Sequence, residues 1–190
     1  VCAPGAHPLK ELLRCAADAL GAAAAGITPE ELADRPDLLP HAVVGSLGRP
    51  GLVLLVDQFE EVFTLCEDDR ERGAFVRVLH ALAAGATTAV VIGLRADFCG
   101  HCLDHPELVE VFTHGLFALG PMSDGQLRRA ISEPAARAGL ALEVGLVELL
   151  LRDLGDRSAA HAGSLPLLAH ALLGTWQQRT GRTLTVAVTR

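Results

Sequence analysis

The chain has 190 residues, half of them apolar and 21% charged, with a formal net charge of −7. That is a globular balance, long enough for one α/β unit and a small helical one. The acidic excess argues against a general nucleic-acid binder, which needs a basic stripe to displace counterions. No uninterrupted apolar stretch is long enough to span a bilayer, so a soluble protein with no membrane role is expected. Five cysteines, an odd number, point to reduced thiols and a cytoplasmic setting. The first residue is Val, and the opening residues are expected to continue a longer polypeptide.

Residues 1–8, VCAPGAHP, read as a strand end followed by a Pro/Gly turn. Leu9, Leu12, Leu13, Ala16 and Leu20 then repeat at helical spacing, predicting an amphipathic helix from Pro8 to about Ala25. Thr28, Pro29, Glu30 and Glu31 form a helix start: a hydroxyl cap, a first-turn proline and acids favoured by the dipole. Another short helix is expected over residues 37–47. Residues 51–57, GLVLLVD, are a continuous apolar run ending in a carboxylate, the pattern of a parallel strand covered on both faces. A helix comes next, with Arg70, Phe75, Val78, Leu79 and Leu82 on its inner side and Gly85 as its stop.

A second apolar run covers residues 87–94 and ends at Arg95, Ala96 and Asp97. Short helices are expected around 98–105 and 106–114. A third, shorter strand is expected at residues 116–119, stopped by Gly120 and Pro121. Beyond Pro121 strand signals cease. Helices are predicted at 123–138 (Ser123 as cap, with Leu127, Ala130 and Ile131 on one face), 144–154 and 165–179, and residues 155–163 are the most loop-like stretch. Strands alternating with helices, then helices alone, imply an α/β fold: a parallel-sheet core over 1–121 and a helical subdomain over 122–190.

Asp57 is the strongest chemical signal. A carboxylate at the carboxyl end of a parallel strand stands where open α/β sheets bind ligands. It could equally cap the next helix. Arg95, which ends the next apolar run, could pair with Asp97 at the sheet edge. Cys99, His101, Cys102 and His105 offer four zinc-ligating side chains within seven residues. They would project from different faces of one short helix, and structural zinc sites draw on two separated pairs, so the metal reading ranks low. Trp176, the one tryptophan, is expected in core or inter-domain packing. His41, His80, His114, His161 and His170 have no partner pattern that lifts them above ordinary histidines.

Five blocks in order carry a resemblance: PGAHPLKELL (4–13), LVLLVDQFEEVFTLC (52–66), VVIGLRADFCGHC with HPEL (90–108), LGPMSDGQLRRAISEPAARAGL (119–140) and GSLPLLAHALLGTWQQRTGRTLT (163–185). In this combination the chain resembles the novel STAND NTPases, bacterial signal-transducing ATPases fused to sensor, effector or β-propeller domains. The resemblance implies a partial three-layer P-loop NTPase sheet and a helical subdomain, with ATP between them and Mg²⁺ as cofactors. It makes Asp57 the Walker B acid associated with Mg²⁺ and Arg95 the sensor of the γ-phosphate. Pro166 would belong to the motif near the adenine. Gln58 stands where many relatives of the wider fold carry a catalytic Glu, so Glu60 or Glu61 is expected to position the attacking water. Slow turnover would suit a switch, and fused domains or protein partners are expected.

No GxxxxGK[ST] occurs in the 190 residues, and Lys10, the one lysine, has no glycine run before it. The phosphate-binding loop is expected upstream of Val1, and the resemblance implies that its strand lies between those of 116–119 and 88–94. The piece alone is therefore expected to bind ATP poorly, with a gapped or re-closed sheet. The rival expectation is a non-catalytic, NTPase-like interaction scaffold.

Overall fold

The computed structural model describes residues 1–47, 51–85, 87–157 and 164–186. It is a mixed α/β protein, mostly helical, with two small parallel sheets. The chain divides into two compact units, Val1–Phe117 and Ala118–Arg190.

In the first unit, helix α1 (Pro8–Leu20) starts with proline, which needs no amide partner there. The next amide, of Leu9, donates to Glu71 Oε1 at 3.1 Å. Leu9, Leu12, Leu13 and Leu20 are buried on its inner face. Helix α2 (Pro29–Asp34) carries the full capping box: Thr28 accepts from the Glu31 amide while the Glu31 carboxylate accepts from the Thr28 amide. Helix α3 (Leu38–Leu47) completes the entry to strand β1 (Leu52–Val56). After a four-residue helix, α4 (Glu61–Thr64), helix α5 (Asp69–Ala84) crosses over to strand β2 (Thr88–Ile92). Asp68 caps α5 by accepting from the amides of Arg70 and Glu71.

Strands β1 and β2 pair in parallel, Leu52 opposite Thr88 through Val56 opposite Ile92. On the other edge of β1 a single rung is added by Cys2, whose N–H donates to the Leu55 carbonyl at 2.8 Å. Leu54, Val56, Val90 and Ile92 join one core with α1, α3 and α5, centred on the buried Phe59 and Phe75, whose rings stack 6.2 Å apart.

Several expectations need correction. A continuous apolar run implies cover on both faces, yet the second face of this sheet is open: Val53 is 66% and Val91 50% exposed. The core of this unit gathers under the Leu54/Val90 side; on the other, Leu55 is partly buried while Val53 and Val91 stay exposed. Residues 116–119 form no strand, and Leu116, Phe117 and Leu119 are largely exposed. A strand needs a neighbour for its ladder, and none is bonded to this segment among the described residues. Arg70 does not face inward; its guanidinium lies on the surface and pairs with Asp34 at 2.8 Å.

The short segments beyond β2 match the spacing read from sequence. Helix α6 is Cys99–Cys102 and helix α7 Pro106–His114.

In the second unit, helix α8 (Asp124–Arg137) begins with a second capping box, between Ser123 and Gln126. Strand signals do not cease here as expected. Strand β3 (Ala141–Leu142) pairs in parallel with β4 (Thr183–Leu184), a ladder too short for any period to show in sequence. Helix α9 (Leu146–Arg157) starts two residues later than expected, leaving Val144 almost wholly exposed. It also absorbs Gly155, so the loop expected at 155–163 is helical as far as Arg157, and 158–163, with His161, lie outside the described residues. Helix α10 (Ser164–Gln177) packs its Leu168 against Leu127, Ile131, Leu146, Leu150 and Leu154. Trp176 is not core: it is half-exposed, with the Arg179 guanidinium 4.5 Å from its ring centroid.

Candidate functional site on the first unit

The carboxyl ends of β1 and β2 lie side by side, and one residue of unusual backbone sets the path of the chain as it leaves β1. Gln58 has φ 54, the left-handed conformation, which costs a non-glycine residue about 1 kcal/mol. The turn it makes sends the chain back inward. Phe59 becomes fully buried and donates its N–H to the Gly93 carbonyl at 2.9 Å. Asp57, one residue before the turn, is left exposed at the rim, and its Oδ1 accepts the Gln58 N–H at 2.9 Å. That bond offsets part of the strain.

Two neighbours fix Asp57 further. Its N–H donates to the Cys2 carbonyl at 2.9 Å on one side of β1. On the other, Gly93 donates to the Val56 carbonyl at 2.7 Å, and a Cβ at Gly93 would come within 2.9 Å of Asp57 Oδ1. Gly93 was not singled out in sequence, although a glycine inside an apolar run is the mark of close approach. Gly93→Ala is expected to push the carboxylate off the Gln58 amide. Hydrogen exchange at the Gln58 N–H should speed up several-fold, and an unchanged rate would show that the carboxylate does not need this gap.

The two glutamates point to different places. Glu60 Oε2 accepts the backbone N–H of Arg95 at 3.4 Å, beyond the end of β2. Glu61 Oε2 accepts the Gly5 N–H at 3.0 Å, on the side of the chain's first residues. Arg95 itself is exposed and forks onto Asp97, Nε to Oδ1 at 3.2 Å and Nη2 to Oδ2 at 2.8 Å. This is the edge ion pair that the sequence left open as one of two roles. Asp57, Gln58, Glu60 and Arg95 thus lie at the rim where β1 and β2 end, while the Glu61 carboxylate is turned to the Gly5 N–H. Pro166 is exposed, in the first turn of α10 in the second unit.

The Cys99–His105 cluster is used for packing. His101 stacks on Phe63 with centroids 5.3 Å apart, His105 also lies against Phe63, and Cys102 is buried. Burial pushes the Cys102 thiol up to about 11, with Cys99 adding to it. Among the described residues no group of three or more His, Cys, Asp or Glu side chains could jointly hold a metal ion. Asp57 therefore offers a single hard oxygen ligand. That donor set fits Mg²⁺, which keeps most of its waters and takes phosphate oxygens, and does not fit a caged ion.

The sequence profile of the Novel STAND NTPase 1 family matches residues 1–189. The chain belongs to that family. Comparison with curated proteins and with solved structures returned no match. As a novel STAND NTPase the chain is a domain of signalling-NTPase type. No helix among the described residues is long and apolar enough to cross a membrane.

Proposed function

We propose that this chain supplies the Mg²⁺-side acid and γ-phosphate sensor of an ATP-dependent signalling switch, on a sheet of three-layer P-loop NTPase type. In the reading, Asp57 orients a Mg²⁺ ion through its waters, Glu60 holds the attacking water, and Arg95 senses the γ-phosphate. Gln58 lines the same rim. The metal, when bound, supplies charge neutralisation on the phosphates. Nucleotide state then gates attached sensor or effector domains, β-propeller repeats among the candidates, in the cytoplasm.

The observation that carries the reading is the Asp57 carboxylate exposed at the carboxyl end of β1, beside the end of β2 where Glu60 meets Arg95. Arg95 would have to leave Asp97 to reach a phosphate. The exchange is inexpensive, because both side chains of that pair are more than half exposed.

Membership in the family does not give these 190 residues a phosphate cradle, since GxxxxGK[ST] is absent from them. A titration with a fluorescent ATP analogue and Mg²⁺ is expected to show no micromolar binding by this chain, and micromolar binding by the product of the complete gene. Micromolar, Mg²⁺-dependent binding by the 190 residues alone would overturn this division of labour.

A second reading is favoured by a different observation. The open apolar sheet face at Val53 and Val91 suits a scaffold that only packs against protein partners. Under it, the product of the complete gene binds partners equally well with and without ATP.

A further inference from the structure

Two of the five cysteines meet where the chain begins. Cys2 is fully buried in the rung beside β1, and Cys15 lies half-buried on α1, packed against the same core. The Cys15 thiol donates to the Val1 carbonyl at 3.3 Å, the carbonyl of the peptide that leads into Cys2. Cys15 packs against the core cluster that holds Cys2, close enough that it helps to raise the Cys2 thiol. We propose that Cys2 and Cys15 close a reversible disulfide that staples α1 to the backbone rung holding Asp57.

The two sulfurs divide the chemistry. Burial pushes the Cys2 thiol up to about 12, with the nearby Cys15 and Glu11 adding to it. Cys2 stays protonated at neutral pH and starts no exchange. Cys15 reaches solvent and can. Its thiolate attacks one sulfur of a low-molecular-weight disulfide of the glutathione class, forming a mixed disulfide and expelling one thiolate. The Cys2 sulfur then loses its proton to water and attacks Cys15 Sγ, expelling the second thiolate. Two protein thiols are oxidised by two electrons, one external disulfide is reduced, and both protons end on the released thiols. An external thiol that reopens the bond attacks at Cys15 Sγ and expels Cys2, the reverse of the closing step.

Cys99 and Cys102 are the competing pair. They sit one turn apart on α6, where Cβ atoms lie about 5–6 Å apart. A disulfide needs about 3.5–4.5 Å, which a C-x-x-C pair at a helix start reaches by a small local adjustment. Tryptic linkage mapping separates this pair from Cys2–Cys15.

The thiol chemistry is independent of any nucleotide, and its consequence falls on Asp57. Because the Asp57 N–H donates to the Cys2 carbonyl, stapling Cys2 should slow exchange of that amide about tenfold. The test incubates the reduced chain with excess oxidised glutathione, removes the reagent and follows intact mass, tryptic linkage and amide exchange. Trypsin cuts after Lys10 and Arg14, between the two cysteines. The expected result is loss of two hydrogens, a Cys2–Cys15 cross-linked peptide and a slower Asp57 amide. Cys15→Ser should abolish all three and Cys102→Ser none. A Cys99–Cys102 link in its place, a lasting glutathione adduct on Cys15 with Cys2 reduced, or an unchanged Asp57 amide would overturn the proposal.

Discussion

Asp57→Asn, made in the product of the complete gene, is expected to weaken Mg²⁺-dependent ATP binding roughly 10–100-fold, the equivalent of ~1.5–3 kcal/mol. The substitution is chosen for the bond it keeps. Asparagine presents a carbonyl oxygen where Asp57 Oδ1 accepts the Gln58 N–H, so the left-handed turn and the insertion of Phe59 survive. Only the charge is removed, and the carboxylate is exposed at the rim and braces no ion pair among the described residues. The melting temperature should therefore move by no more than about 2 °C. Calorimetric titration with ATP in Mg²⁺ and in EDTA separates the outcomes. A loss confined to the Mg²⁺ arm marks Asp57 as the metal's acid. Equal affinities for both proteins in Mg²⁺ would remove Asp57 from the site, and a collapse in melting temperature would mean that its role is structural.

Much of the helical structure in both units was legible because its signals are local. The Thr28 and Ser123 caps, the glycine stop at Gly85 and the apolar stripe of α1 each involve residues a turn apart, and each forms as the spacing implies. The continuous runs ending at Asp57 and before Arg95 also paired as parallel strands. Apart from local misreadings such as the face of Arg70 and the start of α9, the inferences that failed concerned a partner distant in sequence. Residues 116–119 have the composition of a strand but no ladder, since hydrogen-bond partners are a property of the neighbourhood and not of the run itself. The apolar alternates Val53 and Val91 announced a second covered face that the described residues do not provide. The two-residue ladder between Ala141–Leu142 and Thr183–Leu184 bridges about forty residues and leaves no periodic trace.

The site divides in the same way. Asp57 was visible as a carboxylate at a strand end, because that position needs only the strand's direction. The left-handed Gln58 and the close approach of Gly93 were not read, since both depend on how the two strand ends meet. Nor could sequence separate Glu60 from Glu61. Adjacent residues entering a helix point about 100° apart, and which of them faces the rim depends on the three-dimensional path of residues 1–7.

That separation yields the second large effect. Glu60→Gln in the product of the complete gene is expected to lower single-turnover ATP hydrolysis on the order of 10²–10³-fold, with ATP affinity and melting temperature nearly unchanged. Its carboxylate touches the rest of the fold through one long bond, 3.4 Å from the Arg95 amide, which the glutamine oxygen can keep. Glu61→Ala should behave in the opposite sense. It strips the half-buried Gly5 N–H of its acceptor, at a cost of about 1–2 kcal/mol, and lowers the melting temperature by several degrees. Hydrolysis by the fraction that remains folded should stay close to wild type. Parallel melting curves and single-turnover assays on the two variants decide the matter. If Glu61→Ala loses turnover without losing stability, the water is held on the Gly5 side of β1, and the rim formed by Asp57, Glu60 and Arg95 is not where the γ-phosphate lies.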